Sequence, residues 1–509
     1  MASSSYVLWT SILISIYGLI ILFFVVRGAR KTRSMNDYAV GSINFSPTVV
    51  GLSLAASMTS AATFIINPGF ISLYGISGIL AFAVVLPLAI FLSLIVLTKS
   101  FRKHGASVKA LTMAQWIGKR YDSKGFALLF GVLSLLLITF IVLICVGMTK
   151  VLAEALNVKE LYVLIGLVVF VFGYMMFGGA NSMVYTNAIQ AGMMLVVAVI
   201  LLTSGYEHFS NGVHGFLDKL ATIDPNLITP TNPNSLLFRD YFEIIFCNFV
   251  VGIAIVCQPH IITKSLLLKN ESDVNRYLTV AILAEVLFFA VVFVGLYARL
   301  SFPDFMVDGK TINMDGMVSA YVVREFPVYV GLIVILGLLS AGLSTLEGLI
   351  QSVPTSITSD IIEPLAGNAL GTGEQKQKRL IFINKMVIVL VGLVSIFLSY
   401  DQLNHPSLSV GIFAQNGVYA YFSAAFVPVL LGIFFDKIPK IAPFAASVVA
   451  ILVHFSIYYG HLTPYTQPPV GNPAVASTFA IVASAIVGFG LYFLFRQPAD
   501  SKRAVSREA

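Results

Sequence analysis

The sequence predicts an all-α polytopic membrane protein, and three observations carry that prediction. Hydrophobic residues make up 58% of the 509-residue chain and charged residues only 11%. Apolar runs of about 20 residues, the length of a bilayer-spanning helix, recur from end to end. Two of these runs are interrupted in their middles by polar residues and proline, as expected where a binding site is cut into the membrane interior. This composition excludes a water-soluble core. The net charge of +7 does not indicate a nucleic-acid partner, because the Lys and Arg are spread over the loops between apolar runs and form no stripe interleaved with aromatics.

Thirteen spans are expected, at about 6–27, 48–74, 78–98, 126–154, 160–179, 182–205, 241–265, 278–300, 328–359, 381–399, 408–434, 441–460 and 473–495. The first is not a cleavable signal, since no basic residue precedes it and Arg27 and Arg30 follow it. The second carries Ser57, Thr59, Ser60 and Thr63 and is expected to break at Asn67-Pro68-Gly69. The third to sixth are uninterrupted. The seventh contains Cys247-Asn248 and then Gln258-Pro259-His260, a second expected break, and the eighth buries Glu285. The ninth holds a run of small hydroxyl residues ending at Asp360, with Glu347 inside it, and the eleventh carries Gln415 and Asn416 before Gly417.

With the N-terminus outside, 24 of the 31 Lys and Arg fall on the inner side, so the positive-inside bias selects that orientation with a cytoplasmic C-terminus. A bacterial inner membrane fits the plain loops. The three cysteines, Cys145, Cys247 and Cys257, lie within spans and imply no disulfide. The loops at 206–240, 301–326 and 360–380 are too short for an attached domain, and no phosphate-binding loop, His-Glu-x-x-His, Cys-x-x-Cys or Gly-x-Ser-x-Gly pattern occurs, so no enzyme is expected. No obligate protein partner is expected either; the partners are the bilayer, an ion and a solute.

Backbone amides and carbonyls freed from a helix cost several kcal/mol each in lipid, so two broken spans, one opening each group of five, point to an inverted-repeat transporter with a midplane site. Ala341, Ser344 and Thr345 stand at i, i+3 and i+4, placing one carbonyl and two hydroxyls on one helix face. Ala56 and Thr59, at i and i+3 of the second span, offer further carbonyls. Neutral oxygens in this number suit a hard monovalent cation such as sodium; simple packing of small residues between helices remains the open alternative.

The chain resembles the sodium:solute symporter family over about residues 35–435. The pieces that carry the likeness are Asp37-Tyr-Ala-Val-Gly, the stretch from Leu52-Ser53 to Pro68-Gly69, Phe177-Gly-Gly-Ala with Tyr185-Thr-Asn-Ala-Ile-Gln190, Ser344-Thr345 leading to Ile357-Thr-Ser-Asp360, and Phe422-Ser-Ala-Ala-Phe-Val-Pro428. The resemblance implies a five-plus-five inverted-repeat, LeuT-like core, alternating access, and a sodium site at Ala56, Thr59, Ala341, Ser344 and Thr345. On this reading residues 1–34 are an extra span and basic loop, 35–206 and 207–435 the two repeats, and 436–509 two further spans and a basic tail. No cofactor is implied beyond sodium as coupling ion.

Two departures bear on ion coupling. Many family members have an aspartate where this chain has Asn187, and some have another where it has Met58, while Glu347 replaces a hydroxyl near the implied sodium site. An ionised carboxylate at membrane depth costs about 2.5 to 3.5 kcal/mol. Glu347, with Asn187, is therefore expected to serve a second cation or a proton, the alternatives being a water-filled vestibule or a hydrogen bond to Gln351. For Glu285 a packing or hydrogen-bonded role is expected.

Ser60, Thr63, Asn67, Asn248, Gln258 and Gln415 are the expected solute contacts, with His260 as a further candidate. The centres of both broken spans are expected to lack Arg and Lys, leaving an anion to helix-end dipoles and hydroxyls. The loop Thr222–Pro230 and the Gln258-Pro-His-Ile261 break resemble members that carry pantothenate and monocarboxylates, so an organic carboxylate is expected. Proline-like amino acids, sugars and sialic acid are the alternatives within the class, and a membrane solute sensor the alternative outside it. A passive channel would need a continuous charged or carbonyl-lined pore, which two discrete breaks do not supply.

Overall fold

The computed structural model describes residues 4–39, 41, 45–108, 110–268, 270–307, 309–405 and 409–496. Several residues counted toward the inner positive charge, Lys109, Lys269, Lys502, Arg503 and Arg507, lie outside the described residues. Among the described residues eleven continuous helices and two bent pairs are long and apolar enough to span a membrane, up to thirteen spans when each pair counts as one. They are α1 (Ser4–Ala29), α2 (Pro47–Met58 and Ala62–Tyr74), α3 (Ile76–His104), α4 (Lys124–Leu156), α5 (Glu160–Gly178), α6 (Ala180–Phe209) and α7 (Phe242–Ile255 and Pro259–Leu267). There follow α8 (Asp273–Ser301), α9 (Val328–Ala366), α10 (Gly373–Asn404), α11 (Val410–Phe434), α12 (Ile441–Tyr459) and α13 (Pro473–Phe495). Side chains such as Leu19, Leu92, Phe397 and Leu452 face outward and stay apolar, as a lipid-facing surface requires.

The core is organised around the first halves of α2 and α7. The first half of α2 packs against α6, α8 and α9, while the first half of α7 packs against α3 and α11. Both approaches depend on glycine. A Cβ on Gly51 would lie 2.6 Å from the Tyr277 carbonyl of α8, and one on Gly252 would lie 2.8 Å from the Leu86 carbonyl of α3. The α2–α8 and α7–α3 contacts exchange the members of two helix pairs, as an inverted repeat requires. The helices α12 and α13 pack on each other and on α11, and α1 lies against α5 and α6.

The bend in α2 is 51° and that in α7 is 56°. The α7 bend falls at Val256–Gln258, where Pro259 opens the second half at a position that needs no amide hydrogen. The α2 bend corrects the expectation at Asn67-Pro68-Gly69. It occurs at Thr59–Ala61, where Thr59 is extended at φ −95° and ψ 93° and the Ser60 hydroxyl accepts the Ala62 amide at 3.0 Å. Pro68 sits inside the continuing helix because it follows a π-helical turn, Ala62–Ile66, whose wider hydrogen bonding absorbs the missing amide.

Outside the spans, the segment after α8 carries a hairpin, β1 (Met306–Val307) paired antiparallel with β2 (Lys310–Thr311). It then lays Met314 and Asp315 over the second half of α2, so close that a Cβ on Gly69 would collide with the Met314 carbonyl. Asp315 ties this segment to α11, accepting from the Ser409 hydroxyl at 2.5 Å and from the Val410 amide at 3.0 Å. Burial pushes the Asp315 carboxyl above its usual range, with Lys150 and the Ser409 hydroxyl opposing the rise.

Candidate functional site

The two bends face each other across a cavity of about 90 Å³. Its polar side is formed by Ser60, Thr63 and Asn67 of α2, Gln258 and His260 of α7, and Gln415 of α11. Its apolar side includes Phe82 of α3, Phe140 of α4 and Phe289 of α8. No Asp, Glu, Lys or Arg is among the described residues that line it. Both Gln258 and His260 line the cavity, and Gln258 Oε1 and both ring nitrogens of His260 are buried with no protein partner among the described residues. Five of the six expected solute contacts, and His260, are thus brought together. Asn248 is the exception: its side chain donates to the Glu243 carbonyl at 2.8 Å and steadies the π-helical turn that opens α7.

Beneath the α2 bend, backbone and hydroxyl oxygens of α2 and α9 converge. Ser344 Oγ lies 2.6 Å from the Ala56 carbonyl and 3.1 Å from the Ala341 carbonyl, and Thr345 Oγ1 donates to the Ser57 carbonyl at 3.0 Å. All these residues are buried. Thr59 ends the first half of α2, and its hydroxyl turns away to donate to Glu285 Oε2 at 2.7 Å. Glu285 therefore has the hydrogen-bonded role expected of it. Neutral carbonyl and hydroxyl oxygens of this kind fit a hard monovalent cation, and among the described residues no cluster of three or more His, Cys, Asp or Glu is placed to hold a transition metal.

A second polar cluster adjoins the first. Glu347 accepts from Tyr174 OH at 2.5 Å, Thr186 Oγ1 at 2.5 Å and Gln190 Nε2 at 3.2 Å. The Asn187 amide satisfies its neighbours when its oxygen accepts from Lys264 Nζ at 3.0 Å and Ser57 Oγ at 2.9 Å. Its nitrogen then donates to Glu347 Oε2 at 3.1 Å and Gln190 Oε1 at 2.9 Å. Lys264 Nζ also donates to the Ser53 carbonyl at 2.9 Å and to Ser53 Oγ at 2.7 Å. Gln351 does not pair with Glu347; it donates to the Ala39 carbonyl instead.

The centres of both broken spans lack Arg and Lys as expected, but Lys264, near the end of α7 and not singled out by the sequence, is only 3% exposed. The bend at Gln258 turns the second half of α7 inward and carries the lysine to α2. A signal was present: Lys264 is four residues after His260, and Thr186 and Gln190 are likewise i and i+4, so each pair shares a helix face.

The family model of the sodium:solute symporter family matches residues 38–449. The sodium/pantothenate symporter of Haemophilus influenzae is 25% identical over 444 residues, covering 86% of this chain and 86% of its own length. The sodium/proline symporter of Staphylococcus aureus is 24% identical over 429 residues, covering 83% of this chain and 80% of its own. A solved structure of a Na+-coupled sialic acid symporter, substrate-bound and outward-open, is 16% identical with a TM-score of 0.76 over 96% of this chain and 97% of that one, a likeness of fold.

Proposed function

We propose, from the premise that this chain belongs to the sodium:solute symporter family and is a sodium-coupled symporter of a small organic solute, that the solute is an organic carboxylate of the monocarboxylate or pantothenate-like kind. The chain is a carrier and not an enzyme. The observation that supports this substrate class is the cavity between the two bends. It combines an aromatic wall with uncharged donors and acceptors, and among the described residues that line it there is no carboxylate to balance the ammonium of an amino acid. A carboxylate fits the partial positive charge at the start of a half-helix together with the Ser60 and Thr63 hydroxyls and His260. The similarity to a pantothenate symporter points the same way.

In this reading Ser60, Thr63, Asn67, Gln258, His260 and Gln415 contact the solute, and the sodium ion takes oxygens from Ala56, Thr59, Ala341, Ser344 and Thr345. The chain is a multi-pass membrane protein, oriented with the N-terminus outside and the C-terminus in the cytoplasm of a bacterial cell. Its repeats are residues 35–206 and 207–435. Sodium and solute couple because one bent helix serves both: Ala56 and Thr59 end the first half of α2, and Ser60 and Thr63 open the second. An ion drawing α2 onto α9 fixes the bend that presents the solute contacts, so each ligand raises the affinity of the other by the same factor. Inward movement of one cation releases about 2.3 kcal/mol per 100 mV of membrane potential in addition to its concentration gradient, which drives accumulation.

The test is uptake into proteoliposomes under an inward sodium gradient, with radiolabelled pantothenate, acetate and proline and a potassium control. Sodium-driven accumulation of a carboxylate is the expected result. Accumulation of proline alone would overturn the carboxylate assignment and leave the family assignment standing.

A further inference from the structure

Lys264 and Glu347 are both buried, at 3% and 0% exposure, and neither lines the solute cavity. A lysine at membrane depth carries an insertion cost of about 2.5 to 3.5 kcal/mol, and a buried charge persists only when paired and hydrogen-bonded. The surroundings of this ammonium resemble a cation site more than an ordinary ion pair. Its nitrogen contacts a backbone carbonyl, a hydroxyl oxygen and an amide oxygen, contributed by Ser53 and Asn187 at 2.7 to 3.0 Å. The negative charge stands one step behind, on Glu347, whose Oε2 is reached through the other end of the same Asn187 amide.

We propose that the Lys264 ammonium is a tethered cation: it fills a second cation position formed by Ser53, Asn187 and Glu347, so that the carrier binds one sodium ion, at the α2–α9 site, where an untethered design would bind two. This rests on the sodium ligands assigned above and not on the identity of the solute. Three features of the cluster support it. Its oxygens are of the kind that ligate monovalent cations. Its charges balance when the Lys264 ammonium is set against the Glu347 carboxylate at the other end of the Asn187 amide. It also abuts the sodium ligands directly, because Ser57 Oγ contacts both the Asn187 oxygen and the Ser344 carbonyl, while the Ser57 carbonyl accepts from Thr345.

The tether has a mechanical consequence. A free ion leaves with each cycle, whereas Lys264 remains covalently part of the second half of α7. The fixed charge therefore joins that half-helix to α2, α6 and α9 through Ser53, Asn187 and Glu347. Opening the cytoplasmic side by moving the second half of α7 requires this cluster to separate, which places Lys264 as a positioning residue for the inward-facing state.

The experiment is equilibrium binding of radiolabelled sodium to the purified full-length chain in detergent, with no solute present. The native chain is expected to bind one ion. Lys264→Met, which removes the tethered charge at similar length, is expected to bind two, with a Hill coefficient rising toward 2. Lys264→Arg is expected to keep one, and the double variant K264M/E347Q to return to one because the second position has lost its carboxylate. Thr345→Ala in the native background should lower the count toward zero, and in the Lys264→Met background should leave one. Size-exclusion profiles establish that each variant is folded, and if K264M aggregates, Lys264→Gln, which also removes the charge and keeps Glu347, takes its place and is likewise expected to bind two. Two ions on the native chain, or an unchanged single ion on folded Lys264→Met, would overturn the proposal. Failure of pantothenate or acetate uptake would not alter this result, so the two proposals fail separately.

Discussion

The two bent helices use the same backbone device for different chemistry. In α2 the bend is flanked by Ser57, Thr59, Ser60 and Thr63, and no charged side chain occurs between Pro47 and Tyr74. In α7 it is flanked by Gln258, Pro259 and His260, and the half-helix after it carries Lys264. The α2 bend thus presents small neutral oxygens, which an ion can use at short range. The α7 bend lines the cavity with larger side chains, Gln258 and His260, and sends a fixed charge toward α2. Broken helices free a few backbone groups wherever they occur; the side chains around the break decide whether ion, solute or resident charge takes them up.

The largest effect should follow from separating the resident charge from its acid. Glu347→Gln leaves Lys264 buried without a counter-charge, and breaking a buried pair from one side costs about 3 to 5 kcal/mol. Sodium-driven uptake in proteoliposomes is therefore expected to fall at least a hundredfold in Glu347→Gln, with partial recovery in E347Q/K264M. Recovery separates a charge imbalance from simple loss of packing. If E347Q transported at the native rate, the cluster around α7 would be no more than filler.

Next comes the ion site. Thr345→Ala removes a hydroxyl that reaches the Ser57 carbonyl, and its half-saturating sodium concentration is expected to rise about tenfold or more, the value of one charge-assisted contact. Thr355, nearly three turns further along α9, bonds the Gln351 carbonyl of its own helix, so Thr355→Ala should shift the sodium response less than twofold. Equal responses in the two variants would remove α9 from ion binding. On the α7 side, Gln258→Ala is expected to raise the solute KM about tenfold, the cost of one or two hydrogen bonds, while leaving the sodium response in place. That split, ion at one bend and solute at the other, is the sharpest test of the comparison.

The spans were legible because hydropathy and length are local properties, and the α7 bend was legible because Pro259 follows an extended Gln258. The α2 bend was misplaced toward Pro68 because a proline marks a break only where the helix cannot widen; here a π-helical turn lets it continue. Thr59–Ala61 carries neither Gly nor Pro, so nothing local marked it. The convergence of Ala56, Ala341, Ser344 and Thr345 could be anticipated from i, i+3 and i+4 spacing on two helices. Lys264 could not be placed in the same way. A basic residue near the end of a span reads as a topological charge, and although Lys264 stands at i+4 from His260, the angle of the bend is what turns that shared face inward.

Asn248 sharpens the comparison from its weakest side. From sequence it is as good a solute contact as Gln258: both are carboxamides in the same span, ten residues apart. The structure separates them by where each sits. Both amide nitrogens donate to a backbone carbonyl of their own helix, Asn248 Nδ2 to Glu243 at 2.8 Å and Gln258 Nε2 to Ile255 at 3.1 Å, but Gln258 lines the cavity and Asn248 is not among its lining residues. Asn248→Ala should therefore behave as a loss of about 1 kcal/mol in stability, one buried hydrogen bond, with solute KM changed less than twofold. Heat inactivation of the detergent-purified chain measures the first and uptake kinetics the second. A KM shift matching that of Gln258→Ala would mean that the first half of α7 turns its Asn248 face to the solute during transport, and the solute contacts would then extend beyond the cavity at the two bends.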